Sequence, residues 1–256
     1  MLAARTLLAV GLLPLAAWAG GSTNYALVPG GDFVSALKYE DAEQVRITSF
    51  QMMRHPVTNA EFLAFVEAHP EWRRDRVTPV FAGPGYLTHW ASATKLTVDQ
   101  LAQPVTRVSW FAANAYCASK GARLPRWSEW EYAAAADGTH RDARHDPAWR
   151  ERILNWYARN ASSPLPRAGA QPPNVYGVGD LHGVVWEWVE DYSALLVIGD
   201  SRNQGDAERN RFCGAGALSL DDRENYAVLM RVALLSSLEG ADSTTSLGFR
   251  CVQEVQ

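Results

Sequence analysis

Gly121-Ala122-Arg123-Leu124-Pro125 and, after three intervening residues, Glu129-Trp130-Glu131-Tyr132-Ala133-Ala134 form the segment from which the architecture can be worked out. Ser128 precedes Glu131 by three residues, which is the spacing of a capping box at a helix start. The alanines that follow favour helix. We therefore predict a helix of two to three turns with Ser128 as its N-cap, and Gly121 marks the end of an earlier helix.

Two further helices are predicted upstream by their capping residues. Thr58 and Glu61 have the capping-box spacing, and this helix is expected to end near His69. Ser109 is the expected N-cap of the helix that Gly121 terminates. Both segments carry apolar residues at helical spacing, so each is expected to pack one face against the core.

The remaining chain reads as short strands and loops. Strands are predicted within residues 26–33 and 45–52, and residues 137–173, which are polar and contain proline, are predicted to form a long surface loop. Short apolar pieces separated by turns follow from residue 174 onward. The expected fold class is α+β, one irregular domain with little regular secondary structure.

Composition excludes several classes of protein. The chain has 256 residues, 47% hydrophobic and 20% charged, which is typical of a folded globular protein. Its formal net charge is −4, and no long basic run is present. Nucleic acid is therefore not expected as a partner.

The first 19 residues have the pattern of a signal peptide. Arg5 precedes an apolar stretch over residues 6–18, and Ala17-Trp18-Ala19 matches a signal-peptidase site. We expect cleavage after Ala19, a mature domain over residues 20–256, and a periplasmic or secreted protein with no membrane segment. The alternative is an uncleaved anchor, for which the apolar stretch is short.

Cys117, Cys213 and Cys251 are the only cysteines. In an exported protein they are disulfide candidates, and an odd count leaves one thiol unpaired. Their spacing does not identify which one. None of the Cys and His spacings is that of a zinc site.

The order of several motifs resembles the formylglycine-generating enzyme family, the sulfatase-modifying factors, and the resemblance extends over residues 26–252. The motifs, in order, are Pro56-Val57-Thr58-Asn59-Ala60-Glu61-Phe62, Pro104-Val105-Thr106-Arg107-Val108-Ser109-Trp110, Ala115-Tyr116-Cys117-Ala118, the segment from Gly121 to Ala134, Asn174-Val175-Tyr176-Gly177, Val185-Trp186-Glu187-Trp188 and Leu247-Gly248-Phe249-Arg250-Cys251. The chain resembles a divergent, exported member of the NirV and PvdO type, and its altered strand, described below, looks most like that of the NirV type. The family implies a single irregular α+β domain with a C-type-lectin-like core and a Cys117–Cys251 disulfide.

The resemblance fails where the family binds copper(I) through two cysteines. The strand before that pair matches Gly214-Ala215-Gly216-Ala217, but residues 218–230 contain no cysteine, and Ser219 stands where the first would be. Copper at the family's usual site is therefore not expected, because soft thiolates are its ligands.

The predicted functional site is the groove beside this strand. Its expected lining residues are Gly214, Gly216, His182 and Arg231. Cys213 and Ser219 are its candidate catalytic residues. Cys213 is interpreted either as a reactive groove thiol or as a buried, inert one. His182 is interpreted either as a metal ligand or as a hydrogen-bonded structural residue.

A calcium site is also implied by the resemblance. Glu187, with Gly183 and Val185, matches the family's calcium-binding turn, although Val184 replaces an asparagine ligand, and Asn155 is the candidate from a second site. The alternative is that Glu187 pairs with Arg250 or Arg123.

Two functions from different classes follow from these features. The first is an exported factor that binds a peptide or protein client, or matures a periplasmic enzyme such as a copper enzyme. The second is an oxygen-dependent oxidoreductase of the formylglycine-generating or PvdO type with a non-standard site around Cys213.

Overall fold

The computed structural model describes residues 24–37, 44–157, 164–195 and 226–255. The helices are α1 (Asn59–Ala68), α2 (Val98–Leu101), α3 (Trp110–Ser119), α4 (Trp127–Ala134), α5 (Pro147–Tyr157) and α6 (Tyr226–Ser236). The strands are β1 (Tyr25–Val28), β2 (Gly31–Phe33), β3 (Val45–Ile47), β4 (Phe50–Met53), β5 (Trp186–Glu187), β6 (Leu247–Gly248) and β7 (Val252–Glu254). The helices and strands are short, in agreement with the predicted α+β domain with little regular secondary structure. No described helix is long and apolar enough to cross a membrane.

The capping residues of α1 and α3 act as predicted. The Thr58 side chain accepts a hydrogen bond from the Glu61 backbone, and the Glu61 carboxylate accepts one from the Thr58 N–H at 2.8 Å. Ser109 caps α3 by accepting from Ala112 N–H at 3.1 Å. Gly121 follows α3 with φ +64°, the left-handed conformation that ends a helix.

The predicted start of α4 is wrong by two residues, because the N-cap is Arg126 rather than Ser128, and the predicted capping box is misplaced accordingly. The helix begins at Trp127, and the Glu129 carboxylate accepts from the Arg126 N–H at 2.8 Å. Glu131 lies inside the helix and is buried. Its carboxylate accepts hydrogen bonds from the Ala36 N–H at 2.7 Å and from the Trp127 indole N–H at 2.9 Å. Glu131 therefore makes a tertiary contact instead of the capping contact that its spacing predicts.

The long loop predicted over residues 137–173 contains a helix. Helix α5 begins at Pro147, a residue suited to the first helical turn, and Asp146 accepts from the Ala148 N–H at 2.9 Å. Trp149 and Ile153, four residues apart, are buried on one face. A two-residue apolar stripe within a charged segment is a weak signal, and the sequence interpretation missed it.

Two other elements differ from expectation. Residues 45–52 form two strands in different sheets, since β3 pairs with β2 and β4 pairs with β1. The apolar piece after residue 226 is helix α6 rather than strand.

The segment from Leu247 to Val252 is the centre of the fold. Strand β7 completes an antiparallel sheet of order β1-β4-β7, and β6 pairs in parallel with β5. Backbone hydrogen bonds also join this segment to Val57 (2.9 Å, from Val57 N–H to the Phe249 carbonyl) and to Arg123. A Cβ at Gly248 would lie 2.5 Å from the Val105 carbonyl oxygen, so only glycine fits there.

A disulfide joins Cys117 on α3 to Cys251 beside β7, and both residues are fully buried. This is the pairing that the family resemblance implied. The bond spans 134 residues of sequence. A loop of that length corresponds to roughly 4–5 kcal/mol of stabilisation through the unfolded chain.

Candidate functional site

The Trp-Glu-Trp turn carries a buried ion pair. Glu187 and Arg250 have no exposed surface, and the Arg250 Nε and terminal nitrogen donate to the two Glu187 oxygens at 2.8 and 2.7 Å. Arg250 also donates to the carbonyls of Met53 at 3.1 Å and Gly179 at 3.0 Å. The pair is therefore held in a nearly complete hydrogen-bonded cage, as a buried charge requires.

Two further side chains complete this cluster. The Trp130 indole N–H donates to a Glu187 carboxylate oxygen at 2.9 Å. Arg231, on α6, donates to the Glu187 backbone carbonyl, and its guanidinium lies 3.5 Å from the centre of the Trp130 ring. Arg231 is buried, so this cation–π contact operates away from bulk water. The predicted groove residue Arg231 is thus part of the core that supports the turn.

The geometry at Glu187 favours the ion-pair alternative over calcium. Both carboxylate oxygens accept hydrogen bonds from Arg250, whereas a calcium ion would need them as ligands. Gly183 and Val185 share the turn, but Asn155 is an exposed residue of α5. Among the described residues, no group of three acidic, His or Cys side chains is placed to hold a metal. As they are arranged here, these residues do not fit calcium, and the calcium site that the resemblance implies is an expectation that the calorimetry described below tests.

His182 lies beside this cluster and is half-buried. Its Nε2 is 2.9 Å from the Ala134 carbonyl, and its ring makes edge contacts with Trp130 and Trp149 at centroid distances of 5.6 and 5.5 Å. Burial lowers the pKa of His182 to about 4, and Arg231 acts in the same direction. The imidazole is therefore neutral at pH 7, and it has the hydrogen-bonded role that the sequence left open as one alternative.

A cavity of about 760 Å³ opens against His182. Its wall on one side is α5, with Trp149, Ile153 and Trp156, and on the other the chain from Gln171 to Gly183. Asp180 fixes this second wall: its carboxylate accepts hydrogen bonds from the backbone N–H groups of Gly169 and Gln171. The cavity is thus formed by the helix that sequence analysis missed.

Sequence reasoning missed several cavity residues for that reason. Trp149, Arg152 and Gln171 were assigned to a loop without a role. Asp180 precedes Leu181 and His182 in a turn flanked by glycines. Its φ is +61°, a backbone conformation in which aspartate is enriched. An aspartate in such a turn is the sequence signal that could have indicated this wall of the cavity.

The remaining predicted site residues, Cys213, Gly214, Gly216 and Ser219, lie outside the described residues. The chain has three cysteines and two are joined to each other, so no second cysteine of the chain is left to pair with Cys213. The residues present therefore do not fit a copper(I) site made of two cysteine thiolates.

These features define a mixed α and β domain built around a buried Trp-Glu-Trp turn and closed by a disulfide. The chain belongs to the sulfatase-modifying factor family: the model described as "Sulfatase-modifying factor enzyme 1-like domain" matches residues 19–255.

Its relatives have different named activities. It is 34% identical to hercynine oxygenase of Mycolicibacterium smegmatis over 66% of this chain and 46% of that protein. It is 28% identical to the formylglycine-generating enzyme of Streptomyces coelicolor over 89% of this chain and 88% of that one. It is 30% identical to "Inactive C-alpha-formylglycine-generating enzyme 2" of Mus musculus over 63% of this chain and 66% of that protein. The chain spans less than half of the hercynine oxygenase.

Two of the solved structures that match this chain are the following. A structure titled "Crystal Structure of CarF" has a TM-score of 0.46 and 18% identity and covers 91% of this chain and 98% of its own. PvdO from Pseudomonas aeruginosa has a TM-score of 0.46 and 20% identity and covers 90% of this chain and 94% of its own.

Glu187→Gln should destabilise the fold by about 3–5 kcal/mol, because it leaves the Arg250 guanidinium buried without a counter-charge. Urea unfolding followed by circular dichroism measures this change. Asp32→Asn is the matched control, since it breaks the exposed ion pair to Arg46 and should leave the midpoint almost unchanged. Equal effects of the two substitutions would contradict the central role of the buried pair.

Calcium removal should leave the melting temperature unchanged, because Arg250 already occupies the Glu187 oxygens. The measurement is differential scanning calorimetry of the mature protein with EGTA and with added calcium, at constant ionic strength. A melting temperature that falls by several degrees in EGTA, and recovers with calcium, would establish a stabilising calcium site and overturn the ion-pair interpretation.

Proposed function

We propose that this chain is an exported binding member of the family, one that holds a segment of a peptide or protein client without the family's copper chemistry. The observation that carries the proposal is the pairing of Cys117 with Cys251, which leaves Cys213 as the single thiol in the chain. A two-thiolate copper(I) site cannot be assembled from one cysteine.

Aromatic side chains at the surface end of the turn support a binding role. Trp186 is half-buried, and its ring lies 5.2 Å from that of Trp156 on α5. Half-buried tryptophans of this kind provide large, rigid contact area for a partner chain. We propose that the client segment contacts these two rings, with the buried Glu187–Arg250 pair fixing the position of Trp186.

A second candidate function is an oxygen-dependent oxidoreductase centred on Cys213. The observation that favours it is the similarity to proteins named hercynine oxygenase and formylglycine-generating enzyme. In this case Cys213 is the reacting thiol, and the client of the first proposal becomes a substrate.

Copper and peptide experiments separate the two functions. The purified mature protein is titrated with copper(I) against a chromogenic chelator, and is incubated with oxygen and a labelled Cys-containing sulfatase peptide. We expect no tight copper binding, no aldehyde in the peptide, and binding of the peptide seen as a rise in fluorescence anisotropy. Trp186→Ala should weaken that binding and Cys213→Ser should not.

Two results would contradict the binding proposal. Aldehyde formation that disappears in Cys213→Ser would overturn the binding proposal and support the oxidoreductase. A peptide that neither binds nor reacts would contradict both proposals for this class of peptide. Ser201→Ala serves as the control for Cys213→Ser, since Ser201 lies in the same part of the sequence and is not a candidate catalytic residue.

Export is part of the proposal, and the disulfide supports it because disulfides persist in oxidising compartments. When the full chain is produced in a bacterial host, we expect periplasmic material that begins at Gly20 by N-terminal sequencing. In denaturant it should contain one titratable thiol, that of Cys213. Protein found only in the cytoplasm with its first residues intact and three thiols would contradict export.

A further inference from the structure

The cavity beside His182 has the size and walls of a small-molecule site. Its volume of about 760 Å³ lies within the range of ligand pockets in proteins, roughly 300–1,000 Å³. Trp149 and Ile153 present a buried apolar wall, and Trp156 extends it toward the surface. A flat ring is the ligand shape that packs best on such a wall.

His182 offers this cavity a hydrogen-bond acceptor. A carbonyl can only accept, so the contact with Ala134 places the proton on Nε2 and leaves Nδ1 with a lone pair. Within the described part of the chain, Nδ1 has no hydrogen-bond partner, and the residue lines the cavity. A ring that carries a donor, such as an N–H or O–H, complements this atom.

Three charged residues line the cavity, namely Arg152, Asp137 and Asp180. Arg152 on α5 is exposed and forms no ion pair with any residue that the structure describes. Asp137 also lines the cavity. Backbone N–H groups of Thr139 and His140 donate to its Oδ1, which lowers the pKa of the carboxyl to about 2, so the group is ionised at pH 7. Its Oδ2 stays available as an acceptor. A second carboxylate, that of Asp180, is already used by the backbone of Gly169 and Gln171.

We propose that this cavity binds a free α-amino acid whose side chain is a flat ring with a hydrogen-bond donor. Arg152 binds its carboxylate and Asp137 binds its ammonium group. The ring packs on Trp149 and Ile153, and the ring donor reaches His182 Nδ1. This function goes beyond client binding and does not depend on it, because it involves neither Cys213 nor Trp186.

A matched set of indoles tests each contact by isothermal titration calorimetry of the full mature protein. The probe is L-tryptophan. Tryptamine lacks the carboxylate, indole-3-propionate lacks the ammonium group, and 1-methyl-L-tryptophan lacks the ring donor. We expect L-tryptophan to bind more tightly than each of the three, by about three- to tenfold, as partly exposed polar contacts allow.

Two variants assign the contacts to residues. Arg152→Gln should remove the preference for L-tryptophan over tryptamine and leave tryptamine binding unchanged; this residue is exposed, so the variant is expected to fold. Arg76→Gln, also exposed and remote from the cavity residues in sequence, is the control. His182→Gln should reduce the preference for L-tryptophan over 1-methyl-L-tryptophan.

Several results would overturn the proposal. Absence of heat with millimolar L-tryptophan would exclude this ligand class for the cavity. Equal binding of N-acetyl-L-tryptophanamide would show that the site takes a peptide chain rather than a free amino acid. Equal loss of all four indoles in Arg152→Gln would mean that Arg152 does not recognise the carboxylate.

Discussion

The buried ion pair between Glu187 and Arg250 is the constraint on which the structure depends. Neither charge reaches water, so each must be compensated inside the protein, and the compensation comes from distant parts of the chain. Arg250 contacts the carbonyls of Met53 and Gly179, while Glu187 accepts from Trp130 and its carbonyl accepts from Arg231. The strands of this domain are short, so the contacts of the ion pair add connections between chain segments that the sheets do not join.

The sequence predicted best those features whose determinants are local. The caps of α1 and α3 were identified because Thr58, Glu61, Ser109 and Gly121 each act within a few residues of their own position. The start of α4 was misplaced because Glu131 has the spacing of a cap but is bound by residues almost 100 positions away. Propensity and spacing contain no information about such a partner.

The candidate site shows the same division between local and distant determinants. The Trp-Glu-Trp turn and the Gly-Phe-Arg-Cys segment are recognisable as motifs in the sequence, which also leaves the pairing of Glu187 with Arg250 open as one alternative. The cavity was not predicted, because its wall is a helix with only Trp149 and Ile153 buried and its opposite side is an irregular chain held by Asp180. Which of these residues face each other is set by packing rather than by pattern.

The central position of residues 247–252 also has a consequence for how the chain matures. Met53 and Arg250 touch across 197 positions of sequence, and β4 cannot acquire its β7 neighbour until both have been synthesised. A contact between residues this far apart in sequence forms only after nearly all of the intervening chain has been made, and contacts of this kind slow folding. While residues 247–252 are still missing, β4 lacks its β7 partner and Glu187 lacks the Arg250 guanidinium, so the growing chain cannot yet form the buried ion pair.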